Sequence, residues 1–229
     1  MTQVPDKPDQ RPEIRAFPLG PFETNCYVVS APDPEPGDPC WVVDCGIEPG
    51  RMIDAIESLG LEPEAVVLTH AHLDHIAGLF EFRRRFPNTP IWIHEAEKDW
   101  LTDPMLNLSA GYGVEVTAPT PDRLLKHAET LTLLGQPWQV RHTPGHSPGG
   151  ITLYHAPSGT AIVGDTLFAG SIGRHDFPGS DFATLAKSIR EQIYTLPEST
   201  VVLPGHGPTT TVGHEKLSNP FVRADDVSV

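Results

Sequence analysis

Within the stretch LTHAHLDHIAG, residues 68 to 78, the chain sets His70, His72, Asp74 and His75 inside six positions. In an extended segment, residues two apart point to the same side, so His70 and His72 can turn toward one metal ion just past a strand end. Asp74 and His75 fall where the chain turns helical, which swings them toward a second ion. Neutral imidazole nitrogens suit zinc, iron or nickel, while a carboxylate adds negative charge and can bridge two ions. Further residues of ligand type are His146 in TPGHSPGG, Asp165 in IVGDTLF and His206 in LPGHGPT. Each follows a glycine, which lets the backbone turn sharply and brings a side chain close to an ion. Four loops that each end a buried strand with such residues point to a metal centre rather than to scattered structural histidines.

The elements that must position these residues are readable from hydrophobic spacing. EIRAFPL, NCYVVS and CWVVDCG read as strands, and PGRMIDAIESLG as an amphipathic helix with Pro49 near its start and Gly60 at its end. AVVLT, residues 65 to 69, is a β-branched run of buried-strand type that delivers the histidines, and Leu73 to Phe86 reads as helix. IWIH and WQVRHT are short strands, GITLYHA and TAIVGDT a hairpin about PSG, DFATLAKSIREQIYTL a helix, and TVVLP a last strand before GHG. Residues 1–12, almost without apolar side chains, are expected to be a frayed tail, and 13–229 a single domain. This order predicts two sheets covered by helices, with the polar residues at strand ends. The least regular stretch, 95 to 125, reads either as a wall over the site or as a surface excursion.

Composition narrows the partners. With 16 Lys and Arg against 30 Asp and Glu, the formal charge is -14, which repels phosphate backbones and anionic membrane surfaces. The one compact basic cluster, Arg83 to Arg85, closes a helix, where the dipole favours it. Neither nucleic acid nor a membrane is expected as a partner. No apolar run approaches the roughly 20 residues that span a bilayer, and MTQVPDKPDQRPE has no secretory core, so a cytoplasmic location is expected. Cys26, Cys40 and Cys45 are odd in number and lack C-x-x-C spacing, which predicts buried reduced thiols.

The H-x-H-x-D-H set, followed by His, Asp and His at these separations, resembles the metallo-β-lactamase-fold hydrolase superfamily from about residue 14 onward. GDTLFAGSIGRHDFPGSD, PGHGPTT and LSNPF are similar to its compact bacterial glyoxalase II-like (hydroxyacylglutathione hydrolase-like) branch. The resemblance implies an α/β (α+β) fold, a four-layer αββα sandwich of two mixed sheets covered by helices. It implies two divalent metal ions per chain, zinc first, with iron or manganese as alternatives. His70, His72 and His146 would take metal 1, Asp74, His75 and His206 metal 2, and Asp165 would bridge, making Asp74 and Asp165 the catalytic carboxylates. Asp44, in VVDCG, would orient ligands from behind, and Cys45, which replaces the proline of the family's turn, is expected to pack. Arg174 fits a position where relatives carry a basic residue near the metals, where it would bind substrate. A structural arginine paired with Asp176 or Asp181 is the equal alternative. His175 beside it is a candidate to line the cleft. His94, His127, His142, His155 and His214 are read as surface or hydrogen-bonded structural residues.

The implied reaction is hydrolysis of a small-molecule thioester, of the S-lactoylglutathione type or simpler, by a metal-bridging hydroxide; the chain shows no G-x-S-x-G elbow. Full-length glyoxalase II enzymes carry a helical C-terminal domain, whereas 23 residues follow His206 here, so weak discrimination between thiol carriers is expected. One alternative is a persulfide dioxygenase of the same fold, whose GRTDF stretch is similar to GRHDF here, with a single iron on His70, His146 and Asp165. Another is a metal-binding protein without turnover. Oligomeric state is not readable.

Overall fold

The protein is described by a computed structural model over residues 11–224. Six strands form a first sheet in chain order: β1 (Glu13–Leu19), β2 (Thr24–Ser30), β3 (Pro39–Val43), β4 (Glu62–Val67), β5 (Ile91–His94) and β6 (Arg123–Leu125). The first three are antiparallel and the rest parallel. After β7 (Thr130–Leu133), β8 (Gln136–His142), β9 (Ile151–His155) and β10 (Thr160–Gly164) comes a small hairpin, β11 (Leu167–Phe168) and β12 (Ser171–Ile172). With β13 (Val201–Pro204) and β14 (Thr210–Thr211) the second sheet runs 14-13-10-9-8-7, its one parallel pair being β10 with β13. Both sheets are mixed, as expected.

Strand alternation builds the layers. Along β2 and β3, Val28 and Val42 face one way, while Tyr27, Val29, Trp41 and Val43 face the other. The first group packs under α1 (Gly50–Ser58), whose Met52, Ile53 and Ile56 share one face. The second meets Trp138, Val140, Leu153 and Ile162 of the opposite sheet. Val163 and Val202 on that sheet's outer face pack against Leu185 and Ile189 of the chain that contains α4 (Phe182–Ser188). The result is the four-layer αββα sandwich. Among the described residues no helix is long and apolar enough to cross a membrane.

The expected helix from Leu73 to Phe86 is two helices, α2 (Leu73–Ile76) and α3 (Leu79–Arg85). The break is a close contact. A Cβ on Gly78 would lie 2.3 Å from the Gly46 carbonyl oxygen, and Cys45 N–H donates to His75 O at 2.8 Å. The turn after β3 is thus pressed against α2, and Cys45, fully buried, is part of that packing. The helix expected over 181–196 is α4 followed by a wider π turn, Ile189–Ile193. Strands β6, β7, β11, β12 and β14 and helix α5 (Val212–Ser218) went unread in the sequence, β6, β11, β12 and β14 having only two or three residues, too few to show a period. Residues 1–10 of the expected tail lie outside the described residues.

The irregular stretch is a wall. Its buried centre is Asn107, whose side-chain amide donates to Trp100 O (3.2 Å) and Val116 O (2.9 Å) and whose oxygen accepts Ser109 N–H (3.0 Å). The Asn107 carbonyl also accepts Leu73 N–H, tying the wall to α2.

Candidate metal centre

The residues of ligand type come from the loops and the short helix that follow strand ends. His70 and His72 follow β4, Asp74 and His75 lie in α2, His146 sits between β8 and β9, and Asp165 and His206 follow β10 and β13. Three triads put one ligand atom of each member within 4.8 Å of the others: His70, His72 and His146; His70, His75 and Asp165; Asp74, His75 and His206. Asp165 lies between the outer triads, with Oδ1 3.5 Å from His75 Nε2 and Oδ2 3.4 Å from both His146 Nε2 and His206 Nε2. Gly145 and Gly164 carry positive φ before their ligands, but Gly205 serves by close approach: a Cβ there would sit 2.1 Å from Asp165 Oδ1.

The ring orientations follow from acceptors behind the histidines. His75 Nδ1 donates to Asp44 Oδ2 (2.8 Å), His146 Nδ1 to Arg174 O (2.7 Å) and His206 Nδ1 to Phe22 O (3.1 Å). Thr69 donates its hydroxyl to Asp44 (2.7 Å) and so must accept from His70 Nδ1 at 3.2 Å. In each case Nδ1 carries a proton, and Nε2 is left facing the centre. The Nε2 atoms of His70 and His75 and Oδ1 of Asp165 are buried with no hydrogen-bond partner. His72 is turned the other way, its Nδ1 2.9 Å from His146 Nε2. Buried lone pairs facing one another and two carboxylates are what a cation would satisfy, so the donor set fits divalent metal.

The charges agree. Burial, with His75 and His72 close by, pushes the His70 imidazole well down, and burial beside His146 does the same to His72. Burial also works against a charge on His75, yet Asp74, Asp44 and Asp165 hold it well above the usual range. Asp165, despite burial, is held far below the carboxylate range by His75 and His206. Asp74 is likewise buried, but His75 and His206, together with the Thr24 hydroxyl at 2.7 Å, bring it to about 2. The protein alone has only protons with which to balance these acids.

Beside the cluster opens a cleft of about 290 Å³, whose lining includes Phe22, Leu108, Tyr112, Phe168, Arg174 and Phe177 along with the ligand-type residues. Arg174 forms a two-point ion pair with Asp176, both contacts at 2.9 Å, and lies over the Phe177 ring at 4.0 Å. His175 turns its ring to Phe182 and is not among the lining residues. His94 and His142 stack on one another, and His155 bonds to Ser158. The sequence reading missed Thr24, Thr69 and Leu108. It also missed Glu97, whose buried carboxylate accepts the N–H groups of Ala71 and Gly149.

Comparison with known proteins places this geometry. A family model described as the metallo-beta-lactamase superfamily matches residues 19–206. The chain is 34% identical to hydroxyacylglutathione hydrolase GloC of Haemophilus influenzae, over 92% of this chain and 98% of that protein. Among solved structures it is similar to BLEG-1 B3 metallo-beta-lactamase, with TM-score 0.86, 39% identity, and coverage of 92% of this chain and 99% of that one. It is also similar to TTHA1623 in a di-iron-bound form, with TM-score 0.77, 34% identity and coverage of 93% and 100%.

Proposed function

Because the chain belongs to the metallo-β-lactamase superfamily, we propose that it is a metal-dependent hydrolase that cleaves small acyl thioesters with two divalent ions, zinc first and iron or manganese next. His70, His72 and His146 would hold one ion and Asp74, His75 and His206 the other, with Asp165 shared between the two sets. The observation that carries this reading is the row of acceptors behind His70, His75, His146 and His206, which turns four Nε2 atoms inward beside the carboxylates of Asp165 and Asp74. The di-iron form of TTHA1623 supports a two-metal count. Bound there, the ions supply Lewis acidity toward a carbonyl oxygen and lower the pKa of coordinated water to about 7, so no separate general base is required.

The chain's own residues do the rest. Asp44 and Thr69 fix the rings of His75 and His70, and Asp165 reaches both sets, with Oδ2 3.4 Å from His146 Nε2 and from His206 Nε2 and Oδ1 3.5 Å from His75 Nε2. Phe22, Leu108, Tyr112, Phe168 and Phe177 give the cleft an apolar wall that accepts a short acyl group and excludes bulk water. Arg174 offers a positive edge at the rim for a substrate carboxylate. A thiol leaves with a pKa near 8.5 and needs little help from an acid, which suits a lining whose sole side-chain hydroxyl is Tyr112. Similarity to GloC supports the thioester class.

The test is a panel of S-lactoylglutathione, the same acyl group on a minimal thiol, an oxygen ester and a β-lactam, the last included because of the likeness to BLEG-1. Thioesters turned over with the highest kcat/KM are expected. A β-lactam or oxygen ester preferred over both thioesters overturns the substrate assignment.

A further inference from the structure

The three histidines of the first set sit on two loops that belong to different sheets, one after β4 in the first and one between β8 and β9 in the second. His72 Nδ1 and His146 Nε2 nevertheless face each other at 2.9 Å. Ile151 N–H donates to Thr69 O at 2.9 Å where the two loops meet their strands, and farther along one side chain touches both loops. Glu97, in the short turn after β5, is fully buried and absent from the cleft lining. Its Oε2 accepts the N–H of Ala71 at 2.6 Å, and Ala71 is the residue between His70 and His72. Its Oε1 accepts the N–H of Gly149 at 2.7 Å, three residues beyond His146. The fit is close: a Cβ on Gly149 would meet Glu97 Cγ at 2.8 Å and Cδ at 3.0 Å.

A carboxylate that accepts one backbone N–H on each oxygen is a two-ended clamp, and charge-assisted bonds of this kind are short and directional. A glutamine in its place accepts at one oxygen only and presents an NH₂ group to the other N–H, so one end must open. Resting on the two-metal reading above, we propose that Glu97 is a positioning residue: it sets the separation between the His70–His72 loop and the His146 loop. It thereby sets the metal affinity of the first set, without touching metal or substrate. The second set, Asp74, His75 and His206, has its own supports in Thr24, Asp44 and the Phe22 carbonyl.

The test is stepwise titration of the chelator-treated full-length protein with Co²⁺, followed by visible absorption. His146→Ala and His206→Ala identify which step belongs to which set. Glu97→Gln is expected to weaken the step that His146→Ala removes by about 10- to 100-fold, the range for groups that orient metal ligands, and to leave the other within about threefold. Gly149→Ala keeps the charge but displaces the carboxylate, and should give the same split if Glu97→Gln does not fold. Both steps weakened alike, or neither weakened while melting temperature falls, would reduce Glu97 to a structural residue and overturn the proposal. A wild-type chain without two Co²⁺ steps would instead fail the two-metal reading on which it rests.

Discussion

The Asp44 carboxylate accepts the Nδ1–H of His75 at 2.8 Å, and neither side chain is more than 1% exposed. The same carboxylate takes both the N–H and the hydroxyl of Thr69 at 2.7 Å. Asp44→Ala would leave three buried donors without an acceptor, at about 1 to 3 kcal/mol each. Denaturant unfolding of the metal-free protein should show a loss of at least about 3 kcal/mol. Asp44→Asn, which keeps an acceptor but loses the charge, should lower metal affinity about 10- to 100-fold with a smaller loss of stability.

Asp165→Asn removes the one carboxylate that reaches both triads. Bound metal and turnover should fall together, by at least about tenfold each. Elemental analysis beside a thioester assay checks this, and full metal content with normal turnover would remove Asp165 from the bridging role.

Sequence and structure met most closely where chemistry and burial coincide. H-x-H-x-D-H announces itself because few other reasons gather imidazoles so densely, and TAIVG or TVVLP reads as strand because β-branched residues fill a buried sheet. The two-sheet sandwich followed from those strands and their order. What escaped depends on contacts between distant segments. Gly78 splits a helix only because the turn at Gly46 lies against it, and Glu97 is one acid in an irregular stretch until Ala71 and Gly149 are brought to it. Leu108 takes a left-handed φ of 69°, which its sequence does not foretell.

Stability of the metal-free protein should fall as pH rises above neutrality. Burial opposes a charge on His206, but Asp165 and Asp74 hold it up to about 10. A raised base stabilises fully below its unfolded pKa, near 6.5, and loses that contribution as pH climbs through about 10. His75, raised in the same direction, adds to the loss. Asp74, lowered to about 2, stabilises above its ordinary value and loses this only as pH falls through about 2. His70 and His72, pushed down by burial, lose stability as pH falls below about 6.5. Melting temperature after chelation should therefore decline from pH 7 to 10, and the metal-loaded protein, in which these imidazoles bind as neutral ligands, should not share that decline. A flat chelated profile over that range would show that the acids do not hold protons on His75 and His206.

Arg174→Ala should barely alter stability, because its ion pair with Asp176 is exposed, at 60% and 65% for the two side chains, where solvent and salt screen the attraction. His146 is held by the main-chain carbonyl of Arg174, which the substitution keeps. If the guanidinium meets a substrate carboxylate, KM should rise about tenfold for acidic thioesters and stay within about twofold for neutral ones. Equal effects on both classes would leave Arg174 with its structural partner alone.

Whether two metal ions serve one hydrolytic site is decided by metal stoichiometry of the protein purified without added metal, measured with thioester turnover on the same sample. Close to two divalent ions per chain are expected, with turnover lost on chelation and restored by returning metal. One iron per chain, with oxygen consumed on glutathione persulfide and no thioester hydrolysed, would contradict the two-metal reading.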